Sequence, residues 1–124
     1  MAMHIVDIPV PPCPKPRMTR SDKWKQRPAV MRYRQFKDDL REVIKGELDP
    51  RFKIVFHVPL PKSWSEKKKI AFDGQPHQVK PDVDNYLKAF MDAMSSDDSY
   101  IYDVHCQKYW AREGKITLME YRDE

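Results

Sequence analysis

The sequence predicts an α+β fold, a mixed β-sheet packed with two main helices in the order β-α-β-(short α)-α-β-β. Three observations carry this. Apolar residues recur at three- and four-residue steps in two long segments. They alternate at two-residue steps in four shorter ones. Prolines and a glycine punctuate the junctions. With 124 residues the chain has room for one hydrophobic core, so residues 1–124 are read as a single domain.

Residues 4–10 alternate and read as the first strand. Pro9, Pro11, Pro12, Pro14 and Pro16 then forbid regular structure. Residues 15–28 form a long basic loop carrying Lys15, Arg17, Arg20, Lys23, Lys25 and Arg27, with Trp24 among them. Cations interleaved with an aromatic suit nucleic acid, because phosphates take the charge and bases stack on the ring. The plain alternative is a solvated loop with Trp24 packed on the core.

Residues 29–48 are expected to be helical. Val30, Tyr33, Phe36, Leu40, Val43 and Ile44 form one apolar stripe, Gly46 weakens the end and Pro50 enforces the stop. Residues 52–58 read as a strand with Phe52, Ile54, Phe56 and Val58 on one face, ended by Pro59 and Pro61. Ser63 is taken as the cap of a short helix through Glu66, Lys67, Lys68 and Lys69. That lysine run is read as a solvated face, with phosphate contact the lesser alternative. A second long helix starts near Asp82 and runs to about Met94, with Val83, Leu87, Phe90 and Met94 as its apolar face. Residues 98–109 alternate through Tyr100, Tyr102, Val104 and Cys106 as a strand. Gly114 marks a turn, and residues 115–121 form a last strand expected to pair with the preceding one as a hairpin.

Charged residues make up 34% of the chain, hydrophobic ones 40%, and the formal net charge is +4. This describes a soluble globular protein whose basic bias favours a polyanionic partner. Cys13 and Cys106 form no CxxC, and His4, His57, His77 and His105 show no ligand spacing, so a zinc centre is not indicated and the thiols are read as free and buried. The N-terminus has no apolar signal-like region and no run approaches transmembrane length, which fits a reducing cytoplasm and no membrane partner.

The chemistry concentrates around Lys80-Pro81-Asp82-Val83-Asp84-Asn85-Tyr86-Leu87-Lys88. Pro81 keeps Lys80 out of the helical region, so Asp82 and Asp84 straddle the first helical turn. The ordinary explanation is that one Asp caps the helix and the other meets its positive end. Lys88 stands one turn after Asp84, and Asp97-Asp98 return just beyond the helix. Carboxylates gathered this way repel unless a cation sits between them. Hard oxygen donors suit Mg²⁺ or Mn²⁺, which keep several waters and a substrate phosphate. An EF-hand is excluded, because Leu87 occupies its glycine position. A carboxylate-held ion in a basic domain suggests phosphodiester hydrolysis. Lys88 would neutralise the pentavalent phosphate or orient the attacking water, its plain alternative being a surface pair with Asp84.

At these residues the chain resembles the RusA-type Holliday junction resolvases, small Mg²⁺-dependent endodeoxyribonucleases often carried by prophages. The shared pattern is Asp82-x-Asp84-Asn85-x-x-Lys88-Ala89-x-x-Asp92-Ala93, then Asp97-Asp98, then Asp103. The resemblance implies that Asp82, Asp84 and Asp98 are metal-binding catalytic carboxylates, that Lys88 is the catalytic lysine, and that Lys80 contacts DNA. It also implies a mixed sheet with helices and an active homodimer acting on four-way junctions in recombination and repair. The short connection from Met94 to Asp97 departs from the longer glycine-containing loop of the founding members, leaving Asp97 and Asp98 both open as the ligand. Two other classes of function stand beside this one: a non-catalytic nucleic-acid-binding module with a merely capped helix, and a metal-dependent nuclease for other branched DNA or RNA.

Overall fold

A computed structural model of the chain describes residues 2–17, 27–95 and 97–122. Its elements are β1 (Ala2–Ile8), α1 (Pro28–Val43), β2 (Arg51–Pro59), α2 (Glu66–Phe72), α3 (Val83–Met94), β3 (Asp103–Ala111) and β4 (Lys115–Arg122). The four strands form one sheet in the order β1-β4-β2-β3. The α+β class and the element order are as the sequence predicts.

β2 is central, and its alternation explains why. Phe52, Ile54 and Phe56 are fully buried and Val58 nearly so. They share a cluster with Ile8, Ile116 and Leu118 of the neighbouring strands and with Leu40 and Phe90 of the helices. Each such side chain contributes ~1.5–3 kcal/mol by leaving water. β2 runs antiparallel to β4 and parallel to β3. Parallel neighbours need a crossover, and α2 and α3 supply it.

The expected hairpin between the last two strands does not form. β4 lies on the far side of β2, paired with β1 and β2. The link after Ala111 therefore passes over the end of β2. There a Cβ on Gly114 would stand 2.8 Å from Pro11 Cβ and 3.2 Å from Pro59 Cδ. Gly114 is thus a close-approach residue rather than an ordinary turn glycine.

Other expectations need correction. α1 stops at Val43, not near residue 48, and Val43 is exposed. Ile44 turns extended, Gly46 adopts φ +88°, and Leu48 returns to the core outside any helix. Ser65, not Ser63, caps α2, its side chain accepting from the Lys68 N–H. The buried face of α3 is Tyr86, Ala89, Phe90 and Ala93, with Leu87, Met91 and Met94 only partly covered, because the small alanines let α3 approach its neighbours. β3 starts at Asp103 rather than at residue 98. Ser99 and Tyr100 form a turn, and Tyr100 bonds the Leu48 carbonyl through its hydroxyl. The first strand ends at Ile8 rather than residue 10. Cys13 and Cys106 are free but only half-buried. Among the described residues no helix is long and apolar enough to cross a membrane.

Candidate active site at the start of α3

The parallel β3 edge builds the approach to α3. Residues 74–77 run along that edge: the Gly74 N–H bonds the Trp110 carbonyl, the Trp110 N–H bonds the Gln75 carbonyl, and the His77 N–H bonds the Lys108 carbonyl. Lys108 then donates from Nζ to the carbonyls of Val79 and Pro81, both at 2.7 Å. Asp82 follows at once as the N-cap of α3, its carbonyl accepting from the Asn85 N–H at 3.1 Å.

The Asp82 carboxylate makes no capping hydrogen bond. The ordinary explanation for an aspartate at this position therefore lacks its expected contact. Asp82, Asp84, Lys88 and Asp98 are all exposed. The alternative for Lys88, a surface pair with Asp84, is not formed, and among the described residues none of the four side chains is tied up in a hydrogen bond or salt bridge.

Asp84, Lys88 and Asp98 line one cleft of about 270 Å³, floored by Leu87 and Met91. Asp82 faces two adjoining hollows. One, of about 710 Å³, it shares with His77, Lys80 and Lys108. The other, of about 430 Å³, it shares with Pro14, Lys15 and Lys80. The structure thus brings Asp84, Lys88 and Asp98 together and sets Asp82 beside them, across the first turn of α3. Among the described residues, no three His, Cys, Asp or Glu side chains are close enough to cage an ion by themselves. Mg²⁺ does not require such a cage: it binds through one or two carboxylates and completes its shell with water and substrate phosphate. Exposed, uncommitted carboxylate oxygens fit that ion.

Asp97 and Asp98 have different employment. Asp97 Oδ1 accepts from the Ser99 N–H at 3.0 Å, and Ser95 Oγ donates to its carbonyl at 2.6 Å. Hydrogen bonds from Ser99 hold the Asp97 carboxyl below the usual carboxylate range. Asp98 gives only its carbonyl to this turn, accepting from the Ile101 N–H, and turns its side chain to the cleft. Cys106 lies beneath α3, its Sγ directed at the Val83 carbonyl at 3.9 Å. Burial, and then the Asp84 carboxylate, push its thiol up to about 12, so it stays protonated and is no thiolate ligand.

The basic residues divide. Lys15 crosses the start of α3: its N–H bonds Asn85 Oδ1 at 2.9 Å and its Nζ pairs with Asp92 Oδ2 at 2.5 Å. Asn85 is therefore a docking point for the loop. Arg27 Nη2 donates to the Arg17 carbonyl at 2.8 Å, tying residues 17 and 27 together at the base of the basic segment. Lys80 opens onto both hollows beside Asp82. Arg20, Lys23, Lys25 and Trp24 lie outside the described residues. In α2, Lys68 sits over the Trp64 ring, 4.1 Å from its centroid, which gives that lysine a packing role.

Two residues that sequence reasoning passed over belong to this region. Lys108 holds the approach to Asp82. His77 is buried, with its ring 4.3 Å from Trp110 centroid to centroid and its Nδ1 without a hydrogen-bond partner. Burial, and then the Lys108 charge, push His77 down, so the ring is neutral near pH 7. Neither has a local motif, because both contacts depend on the crossover that places β3 beside residues 74–81.

The family model described as Endodeoxyribonuclease RusA matches residues 9–119, nearly the whole chain. The chain is also similar to the Uncharacterized protein YqaN of Bacillus subtilis (strain 168), 35% identical over 69 residues. That similarity covers 49% of this chain and 49% of YqaN, so the match spans about half the length of the curated relative.

Proposed function

We propose, since this chain belongs to the RusA endodeoxyribonuclease family, that it is a Mg²⁺-dependent endonuclease that resolves Holliday junctions by paired nicks in recombination and repair. The proposal includes a single nuclease domain over residues 1–124 working in the cytoplasm. The observation that carries it is the set of uncommitted Asp82, Asp84, Asp98 and Lys88 side chains around a helix start where a capping contact would be ordinary.

Asp84 and Asp98, with Asp82 beside them, would hold the divalent ion. Bound there, it would lower the pKa of a water and offset charge on the leaving oxygen. Lys88 has three N–H donors and no acceptor, so its role is to neutralise the phosphate as negative charge builds on it or to orient the incoming water. Lys80 and the basic segment 15–27 would hold the flanking phosphates and keep the strand in register with the cleft. The decisive experiment is cleavage of a panel of four-way, forked, flapped and linear DNAs with Mg²⁺, Mn²⁺, Ca²⁺ and EDTA. Paired nicking of the four-way substrate, abolished by EDTA, is expected. Tight junction binding without cleavage in any metal would make the chain a binding module instead.

The same reading implies a homodimer. A four-way junction is close to two-fold symmetric, and clean resolution needs two matched nicks from two equivalent sites. Light scattering at assay concentration should give twice the mass calculated for the chain. A monomeric mass alongside full resolving activity would rule this out.

A further inference from the structure

We propose that Lys108 is a positioning residue for Asp82 and Lys80, acting through the backbone of residues 79–81 rather than on the substrate. The inference rests on the endonuclease reading for its kinetic arm only. An ammonium has three N–H donors. Two are taken by the Val79 and Pro81 carbonyls at 2.7 Å, which flank Lys80. The Lys108 carbonyl accepts from the His77 N–H at 3.2 Å, so one residue grips the segment at three points. Lys108 itself cannot drift, because it is paired with Phe56 in the parallel β2–β3 ladder and Phe56 is fully buried. The buried His77 ring, packed at a tilt against Trp110 with centroids 4.3 Å apart and edge-on to Tyr86 at 6.3 Å, fixes the segment's other end. Asp82 has no hydrogen bond from its own side chain to the α3 N-terminus. Its place therefore depends on the backbone that delivers it, which Lys108 holds.

Supports of this kind alter metal affinity or activity by about 10- to 100-fold when removed. In Lys108→Met the Mg²⁺ concentration for half-maximal junction cleavage should rise about tenfold. Mg²⁺ is expected to raise the Tm of the wild-type protein by binding the folded state, and in Lys108→Met that rise should shrink, while amide hydrogen exchange at residues 78–82 should accelerate and β2 stay protected. Lys108→Arg, which keeps the charge and the donors, should recover most of the metal response. If Lys108→Met does not fold, the same readouts on Lys108→Gln decide. An unchanged Mg²⁺ requirement with a lower maximal rate would overturn the inference and place Lys108 on the phosphate. Unchanged exchange at residues 78–82 would overturn it equally. If the wild-type protein cuts no DNA, the endonuclease reading fails, while the exchange and Mg²⁺ melting arms still test Lys108.

Discussion

Asp84→Asn and Asp98→Asn are expected to abolish junction cleavage while leaving junction binding intact, and Asp82→Asn to do the same. Each change removes one negative charge and one ion-holding oxygen with almost no change in shape. Metal stabilisation of the transition state amounts to several kcal/mol, so losing a ligand that positions the ion should slow hydrolysis about a thousandfold. Binding should survive or tighten, because a carboxylate near the phosphate path repels it. Stability should hold. All three side chains are exposed, Asp82 makes no capping bond to lose, and Asn is itself a good cap. The control is Asp7→Asn on β1, where the side chain accepts from Thr117 Oγ1 at 2.8 Å, a contact that Asn can keep. Rates should be measured at saturating Mg²⁺ beside binding in EDTA. Near wild-type cleavage by all three variants would mean that the carboxylates are structural.

The parts of this fold that are written locally were legible. The α3 start is set by Pro81 and the Asp82-x-Asp84 step, and the β2 face by four apolar residues at two-residue steps, Val55 interrupting the alternation without hiding it. Contacts that span the sheet were not. Nothing in residues 103–122 says that β4 inserts between β1 and β2, since a turn glycine reads the same whether its strands pair or straddle a third. The cue available was the β2-helix-β3 order, which calls for a parallel neighbour and so displaces the hairpin. The split between Asp97 and Asp98 turns on a Ser99 N–H that one residue accepts and the other does not. Spacing alone treats two adjacent aspartates alike. Lys15 differs from the other loop cations in a way that composition does not show: its ammonium meets Asp92 across a contact that the fold makes.

That difference between cations makes the salt dependence of binding informative. Junction affinity should fall about a thousandfold between 50 and 200 mM salt if six or so phosphates are neutralised. Each lysine that contacts a phosphate contributes about 0.9 to the log–log slope, through the counterion that it releases. Lys23→Ala with Lys25→Ala should therefore make the slope shallower by about 2, and Lys80→Gln, whose side chain opens onto both hollows beside Asp82, by about 1. Lys15→Met should behave differently. Its Nζ pairs with Asp92, so little counterion is released there and the slope should barely move. The affinity should still drop at every salt concentration, because the N–H to Asn85 and the ion pair to Asp92 dock the start of the basic segment on α3. Measured in EDTA to prevent turnover, equal slope changes for Lys15 and Lys23 would mean that DNA pulls Lys15 away from Asp92. A slope unmoved by the Lys23 and Lys25 changes would remove the loop from the interface and leave Lys80 to carry it.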